Sequence, residues 1–290
     1  MAAIYKTPEG ERAVKERYKQ FLNYWPVPNQ QMRVPTREGE TFVIASGPPN
    51  APAVVLLHGT AFNSVMWMGD IVTWAREFRV YAVDIIGDAG LSAASRPSFV
   101  SDAHALWMED VIRGLGVASA SFVGISLGGW VALDFATRRP ERVTSLVLMA
   151  PGGVASKNVQ LWALPLLALG PWGRRKMTEM ISGPRPKNPS PAERAVAEFT
   201  GLIFRNMKPR TQKFPVLSDD ALQQLTMPVM AILAGKDVFI DSPVVKTRLE
   251  RNVRNPSIRY LPDSRHAITG QTAPILDFLK AAPTAVCTEG

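Results

Sequence analysis

The stretch Ser121-Phe122-Val123-Gly124-Ile125-Ser126-Leu127-Gly128-Gly129-Trp130-Val131-Ala132-Leu133 decides how the rest of the chain is read. Ser121 to Val123 has the composition of a buried strand. The residues from Leu127 to Arg138 follow a helical pattern, and Ser126 stands at the junction between two glycines. A serine at a tight strand-to-helix turn needs glycines on both sides, because the two backbones pass too closely for side chains. The motif Gly124-Ile125-Ser126-Leu127-Gly128 occurs once in the 290 residues.

Outward from this point the chain alternates between short apolar runs and helical patterns. Val54 to Leu57, Val80 to Val83, Leu146 to Met149, Val229 to Leu233 and Ile258 to Leu261 read as further strands, with Thr41 to Ala45 as an edge strand. Runs without polar alternation are expected of parallel strands covered on both faces. With helices such as Ala103 to Leu115 between them, they imply βαβ units and an α/β, doubly wound, mostly parallel sheet. The first 30 or so residues read as a helix followed by a Pro-rich arm. The strand pattern breaks after Met149. From Pro151 to about Pro215, proline and glycine punctuate apolar helical pieces such as Leu161 to Leu164 and Val196 to Phe204. This segment reads as an inserted helical cap, 151–215, on a core made of 1–150 (with its N-terminal arm, about 1–35) and 216–290. Its tryptophans, leucines and phenylalanines argue against a disordered linker.

Composition narrows the partners. The net charge of +8 is dispersed, with Arg174-Arg175-Lys176 as its densest run, and no nucleic-acid motif accompanies it. A single cysteine, Cys287, can form neither an internal disulfide nor a cysteine metal site. Residues 1–20 are charged and amphipathic without the apolar core of a secretory signal, and no apolar run has membrane-spanning length. The expectation is a cytoplasmic protein with no membrane span and no nucleic-acid partner. No cluster of histidine, cysteine and carboxylate has metal-ligand spacing, so no metal or organic cofactor is expected.

A serine hydroxyl needs a base to become a nucleophile. The chain has three histidines. His58 directly follows a strand and is better placed to shape a loop. His104, between Ala103 and Ala105, reads as a packing histidine. His266 follows the last strand, where a loop at the carboxyl edge of the sheet would deliver a base. Its orienting carboxylate is expected to be Asp237, just after the strand ending at Leu233, with Asp241 as the rival; Asp84, at the end of an earlier strand, reads as a turn carboxylate. The backbone N–H of Leu127, at a helix N-terminus, is one expected oxyanion donor. The N–H of Thr60, or of Ala61 if the register slips, is the other.

These residues resemble the α/β-hydrolase superfamily, which shares the chain order Ser, Asp, His. Trp25-Pro26-Val27, Val43 to Pro48, Leu57-His58-Gly59, Met66-Trp67, Tyr81 to Asp88, Gly124 to Gly129 and Pro140 to Val143 are more narrowly similar to bacterial carboxylesterases, including those that cleave arylpropionate esters. The resemblance runs from about Trp25 to Pro151, fades over 151–215, and resumes from Pro228 to His266. It implies a serine hydrolase acting on a small-molecule carboxylic ester through an acyl-enzyme, with catalytic Ser126, Asp237 and His266. The same machinery serves carbon–carbon bond hydrolases, lactonases and perhydrolases, and a non-catalytic receptor can retain the triad. Dehalogenases and epoxide hydrolases are disfavoured, because those relatives carry aspartate where Ser126 stands. Many relatives have glycine where Arg265 precedes the histidine. The segment 151–215 is this chain's own, and Trp162 and Leu166 are its first candidates for contact with substrate.

Overall fold

The apolar runs other than Ile258 to Leu261 become the middle of one sheet because each is covered on both sides. The structure, a computed structural model, describes residues 4–156, 169–184, 187–210 and 212–282. Among them, β1 (Asn29–Thr36), β2 (Gly39–Ser46), β3 (Ala53–Leu57), β4 (Arg79–Val83), β5 (Ala120–Ile125), β6 (Val143–Met149), β7 (Val229–Ala234) and β8 (Ser257–Leu261) form a sheet in the order β1-β2-β4-β3-β5-β6-β7-β8. β3 to β8 are parallel, while β2 is antiparallel to both β1 and β4. Alternate residues of each strand feed opposite layers. Val55 and Leu57 pack with α3 (Ala103–Gly114), α4 (Leu127–Arg138) and α8 (Ser242–Asn252). Val54 and Leu56 pack with α1 (Pro8–Leu22), α2 (Met68–Trp74) and α9 (Thr272–Ala281). The chain leaves β3 for β4 on one side and returns to β5 on the other. This reversal of strand order opens a crevice at the carboxyl ends of β3 and β5, where ligands bind in such sheets.

The N-terminal region differs from its reading as a helix and an arm. Residues 29–36 are the outermost strand, so β2 lies inside the edge that Thr41 to Ala45 was expected to form. The signal was weak for a physical reason. Only Met32 and Val34 turn toward the core, Gln30 and Gln31 face solvent, and Pro28 and Pro35 flank them. An edge strand tolerates proline because one row of its amides has no ladder partner to lose. At the other edge β8 is largely exposed despite its apolar sequence.

α1 ties the start of the chain to the segment 151–215. That segment includes α5 (Gly170–Ser182) and α6 (Pro191–Asn206); the short α7 (Asp219–Gln223) follows it. Tyr5 bridges to Met207, Lys6 N–H donates to Asn206 O at 2.8 Å, and Lys208 N–H donates to Ile4 O at 2.8 Å. Gly10 permits the close approach, since a Cβ there would stand 2.9 Å from the Asn206 Cβ. The rings of Tyr18 and Phe21 lie 6.4 and 5.1 Å from that of Phe199, which is fully buried. Tyr18 also donates its hydroxyl to Asp84 Oδ1 at 2.9 Å. Burial, with the Asp84 charge beside it, pushes this phenol well above its usual range and keeps it a donor.

Phe199→Ala should therefore cost about 3–5 kcal/mol of unfolding free energy. Phe204→Ala, on the exposed side of the same helix, should stay within about 0.5 kcal/mol. Urea unfolding followed by tryptophan fluorescence measures both, and equal effects would contradict the proposed packing of α1 on α6.

Candidate active site

Ser126 sits between β5 and α4 with φ 54° and ψ −108°, a conformation that L-residues avoid. Such strain costs of order 1–3 kcal/mol and persists only where the surroundings over-determine it. Three hydrogen bonds do so here. Ser126 N–H donates to Met149 O at 3.0 Å, and Ser126 O accepts from Trp130 N–H at 2.9 Å and Gly152 N–H at 3.2 Å. Gly124 cannot carry a side chain, because its Cβ would lie 2.3 Å from Gly128 O. The turn presents the hydroxyl at the carboxyl edge of the sheet, and the Leu127 amide opens α4, where no carbonyl of its own helix can accept it.

His266, in the loop after β8, reaches this hydroxyl. Its Nε2 lies 2.9 Å from Ser126 Oγ, and its Nδ1 lies 2.8 Å from Asp237 Oδ2. Asp237 is buried just beyond β7, and its Oδ1 accepts the N–H groups of Phe239 at 2.8 Å and Ile240 at 2.9 Å. With three donors converging on it, the carboxylate is fixed as an acceptor, so the imidazole carries its proton on Nδ1 and leaves Nε2 to accept from the serine. Phe239 meets the imidazole edge-on at 4.8 Å. The rival Asp241 points elsewhere and caps α8 through the Val244 N–H at 3.4 Å. The arrangement can move a proton from a serine hydroxyl to an imidazole and stabilise the resulting cation.

The remaining histidines are held in other ways. His58 Nε2 accepts from Ile85 N–H at 2.9 Å, so Nδ1 bears the proton and donates to Gly59 O at 2.9 Å. Both nitrogens are committed to shaping the loop after β3. His104 is fully buried, stacked on Phe99 at 4.9 Å and edge-on to Trp130 at 5.2 Å. Burial, with the Arg210 charge nearby, pushes it down to about 3, so it stays neutral. Asp84 accepts from Tyr18, from the N–H and hydroxyl of Ser64, and from Leu91 N–H, which is the work of a turn carboxylate.

The loop after β3 approaches Ser126 at Gly59, where an added Cβ would be 3.8 Å from the Ser126 Cβ. Thr60 follows and is exposed. Ala61 adopts φ 56°, and its N–H donates to Asp88 Oδ1 at 2.6 Å. Asp88 was not singled out from the sequence, because a side chain that holds a backbone amide leaves no spacing to read. Trp162 and Leu166 lie outside the described residues. The described parts of 151–215 meet the site from two sides. Ala267 N–H donates to Ile181 O at 3.0 Å and Arg265 Nη1 to Met180 O at 3.3 Å, joining the His266 loop to the end of α5. Phe214 stacks on Trp130 at 6.0 Å and leaves no room for a side chain on Gly152. Among the described residues, no helix is long and apolar enough to cross a membrane.

Known proteins are similar to this chain in sequence and fold. Residues 54–279 match the model of the alpha/beta hydrolase family. Carboxylesterase YbfK of Bacillus subtilis is 35% identical over 228 residues, which are 77% of this chain and 76% of that protein. The uncharacterized carboxylesterase nap of the same organism is 31% identical over 261 residues, 87% of this chain and 85% of its own. The crystal structure of naproxen esterase (carboxylesterase NP) from Bacillus subtilis superposes with a TM-score of 0.79 at 29% identity, covering 94% of this chain and 97% of that one. On its sequence and its fold, this chain belongs to the alpha/beta hydrolase family.

Proposed function

We propose that the protein hydrolyses carboxylic esters through an acyl-enzyme on Ser126. The observation that carries this reading is the unbroken relay from Ser126 Oγ to His266 Nε2 and from His266 Nδ1 to Asp237. The carboxylesterase relatives, at 31–35% identity over most of the chain, support an ester as the bond that is cleaved. His266 takes the Ser126 proton as Oγ attacks the ester carbonyl. The N–H groups of Leu127 and Thr60 receive the developing oxyanion. Ala61, the alternative to Thr60, already gives its amide to Asp88, and this favours Thr60. His266 then passes the proton to the departing alcohol, whose C–O bond breaks to leave the acyl-enzyme. A water molecule, deprotonated by the same imidazole, attacks the acyl carbon. The proton returns to Ser126 as the acid leaves.

In this reading residues 151–215 are a helical cap over a core of 1–150 and 216–290. The bonds of Ile181 and Met180 to the His266 loop, and the seat of Phe214 on Trp130, support a cap that covers the crevice. The cap sets which ester fits, with Trp162 and Leu166 as the first residues to test.

Ser126→Ala should abolish multiple turnover of p-nitrophenyl esters by several orders of magnitude while leaving the thermal transition in place. Activity near that of the unaltered protein would refute the assignment. A receptor that kept the triad would instead show at most a single turnover in the unaltered protein.

Asp237→Asn should lower kcat by orders of magnitude, because an amide favours the wrong imidazole tautomer. Asp241→Asn should leave kcat within about twofold and stability nearly unchanged, because asparagine caps a helix about as well as aspartate does. Paired kinetic and unfolding measurements check the order; its reversal would mean that the wrong carboxylate was chosen.

Shortening Trp162 or Leu166 to alanine should re-rank esters by acyl length. A methylene of fit is worth about 1–3 kcal/mol, so relative kcat/KM values should move roughly tenfold or more. Equal rate changes for every ester in the panel would count against a cap that selects by fit.

A further inference from the structure

Ala61 stands one residue beyond Thr60 in the loop after β3, and its backbone is in the left-handed region at φ 56°. A non-glycine residue rests there only when something holds it. What holds it is Asp88, 27 residues away in the turn after β4. Its Oδ1 accepts the Ala61 N–H at 2.6 Å, and the side chain is 1% exposed. That bond fixes the peptide plane between Thr60 and Ala61. Gly59, on the other side of Thr60, is already fixed by its packing near Ser126 and by the bond from His58 to its carbonyl. The Thr60 N–H shares its peptide plane with the Gly59 carbonyl that His58 holds, and the Asp88 bond holds the plane on the other side of the Thr60 Cα, so the loop is pinned on both sides of Thr60.

Asp88 is held in turn. Its own N–H donates to Ile85 O, and its carbonyl accepts from Gly90 N–H. Two arginines fasten the backbone immediately before it. Arg96 Nε donates to Gly87 O at 2.8 Å, and Arg210 Nη2 donates to Ile86 O at 3.3 Å. Arg96 Nη2 also donates to Lys208 O, and Arg210 itself lies in 151–215, with its guanidinium over Phe99 at 4.7 Å. Burial is the largest influence on the Asp88 carboxyl and pushes it above its usual range, while the Arg210 and Arg96 guanidinium groups pull it back down.

We propose that Asp88 is a positioning residue for the oxyanion site: by holding Ala61 N–H it anchors the far side of Thr60, so that the loop keeps the Thr60 N–H facing the developing oxyanion. The inference rests on the acyl-enzyme reading for its effect on rate, but the hold on the loop does not depend on that reading.

The test uses Asp88→Ala, which removes the acceptor, and Asp88→Asn, which keeps an acceptor without the charge. Three quantities are measured on the full chain: kcat and KM for a p-nitrophenyl ester, the dissociation constant of a boronic acid whose tetrahedral adduct mimics the oxyanion, and hydrogen exchange of the Ala61 amide by NMR. Loss of one oxyanion donor costs about 10²–10³ in kcat, so a misaimed donor should cost at least roughly tenfold. For Asp88→Ala we expect that loss in kcat with KM within about threefold, boronic acid binding weakened in step, and Ala61 exchange at least about tenfold faster. Asp88→Asn should fall between it and the unaltered protein, and it decides the matter alone if Asp88→Ala does not fold. Unchanged Ala61 exchange, kcat kept within about twofold, or a kcat loss that spares boronic acid binding would overturn the proposal. Should Ser126→Ala retain turnover, the acyl-enzyme reading fails, and the Ala61 exchange rate still settles whether Asp88 holds the loop.

Discussion

A Cβ on Gly128 would lie 2.1 Å from the Leu57 carbonyl oxygen, so α4 can begin where it does only because that residue has no side chain. This contact between the first turn of α4 and the end of β3 sets much else. It brings the serine turn beside the loop after β3, where Gly59 lies against Ser126. It also directs α4 down across the sheet, where Trp130, Val131 and Leu133 become part of one core layer. The strain at Ser126 is sustained by that layer, because a helix packed along its whole length does not relax at its first residue.

The carboxyl edge of the sheet is a place where loop amides lack sheet partners, and buried amides must be satisfied by something. Three carboxylates at the ends of strands do this. Asp84, after β4, gathers Ser64 and Leu91; Asp88 gathers Ala61; Asp237, after β7, gathers Phe239 and Ile240 and keeps its second oxygen for His266. Each converts a loop that would otherwise move into a fixed support. Replacing any of them by an apolar residue would leave loop donors without an acceptor, one for Asp88 and at least two for Asp84 and Asp237, at about 1–3 kcal/mol for each buried donor. The rigidity of the crevice is thus electrostatic in origin, while that of the layers beneath is a matter of packing.

The strands that are buried on both faces were legible because burial forces unbroken apolar runs, and the serine turn was legible because close backbone approach forces glycine at fixed spacing. His266 followed from position and from there being three histidines. Asp237 was separable from Asp241 by its distance from the strand end, and the structure supplies the reason: the later residue faces the start of α8. β1 was lost among Pro28, Gln30, Gln31 and Pro35, since an edge strand that shows most of its side chains to water needs little apolar pattern. Asp88 was lost because a bond to a backbone amide can come from any residue at the right place in space. The proposed preference for Thr60 over Ala61 rests on that same bond.

The central claim is that Ser126 is the activated group of this molecule. Incubation with a fluorophosphonate, followed by intact-mass and peptide mass spectrometry, tests it without assuming any substrate. The account predicts one adduct per chain, on the peptide that contains Ser126, formed far more slowly when His266 is replaced by alanine. Failure to label a folded protein, or an adduct on a different residue with Ser126 left untouched, would contradict it.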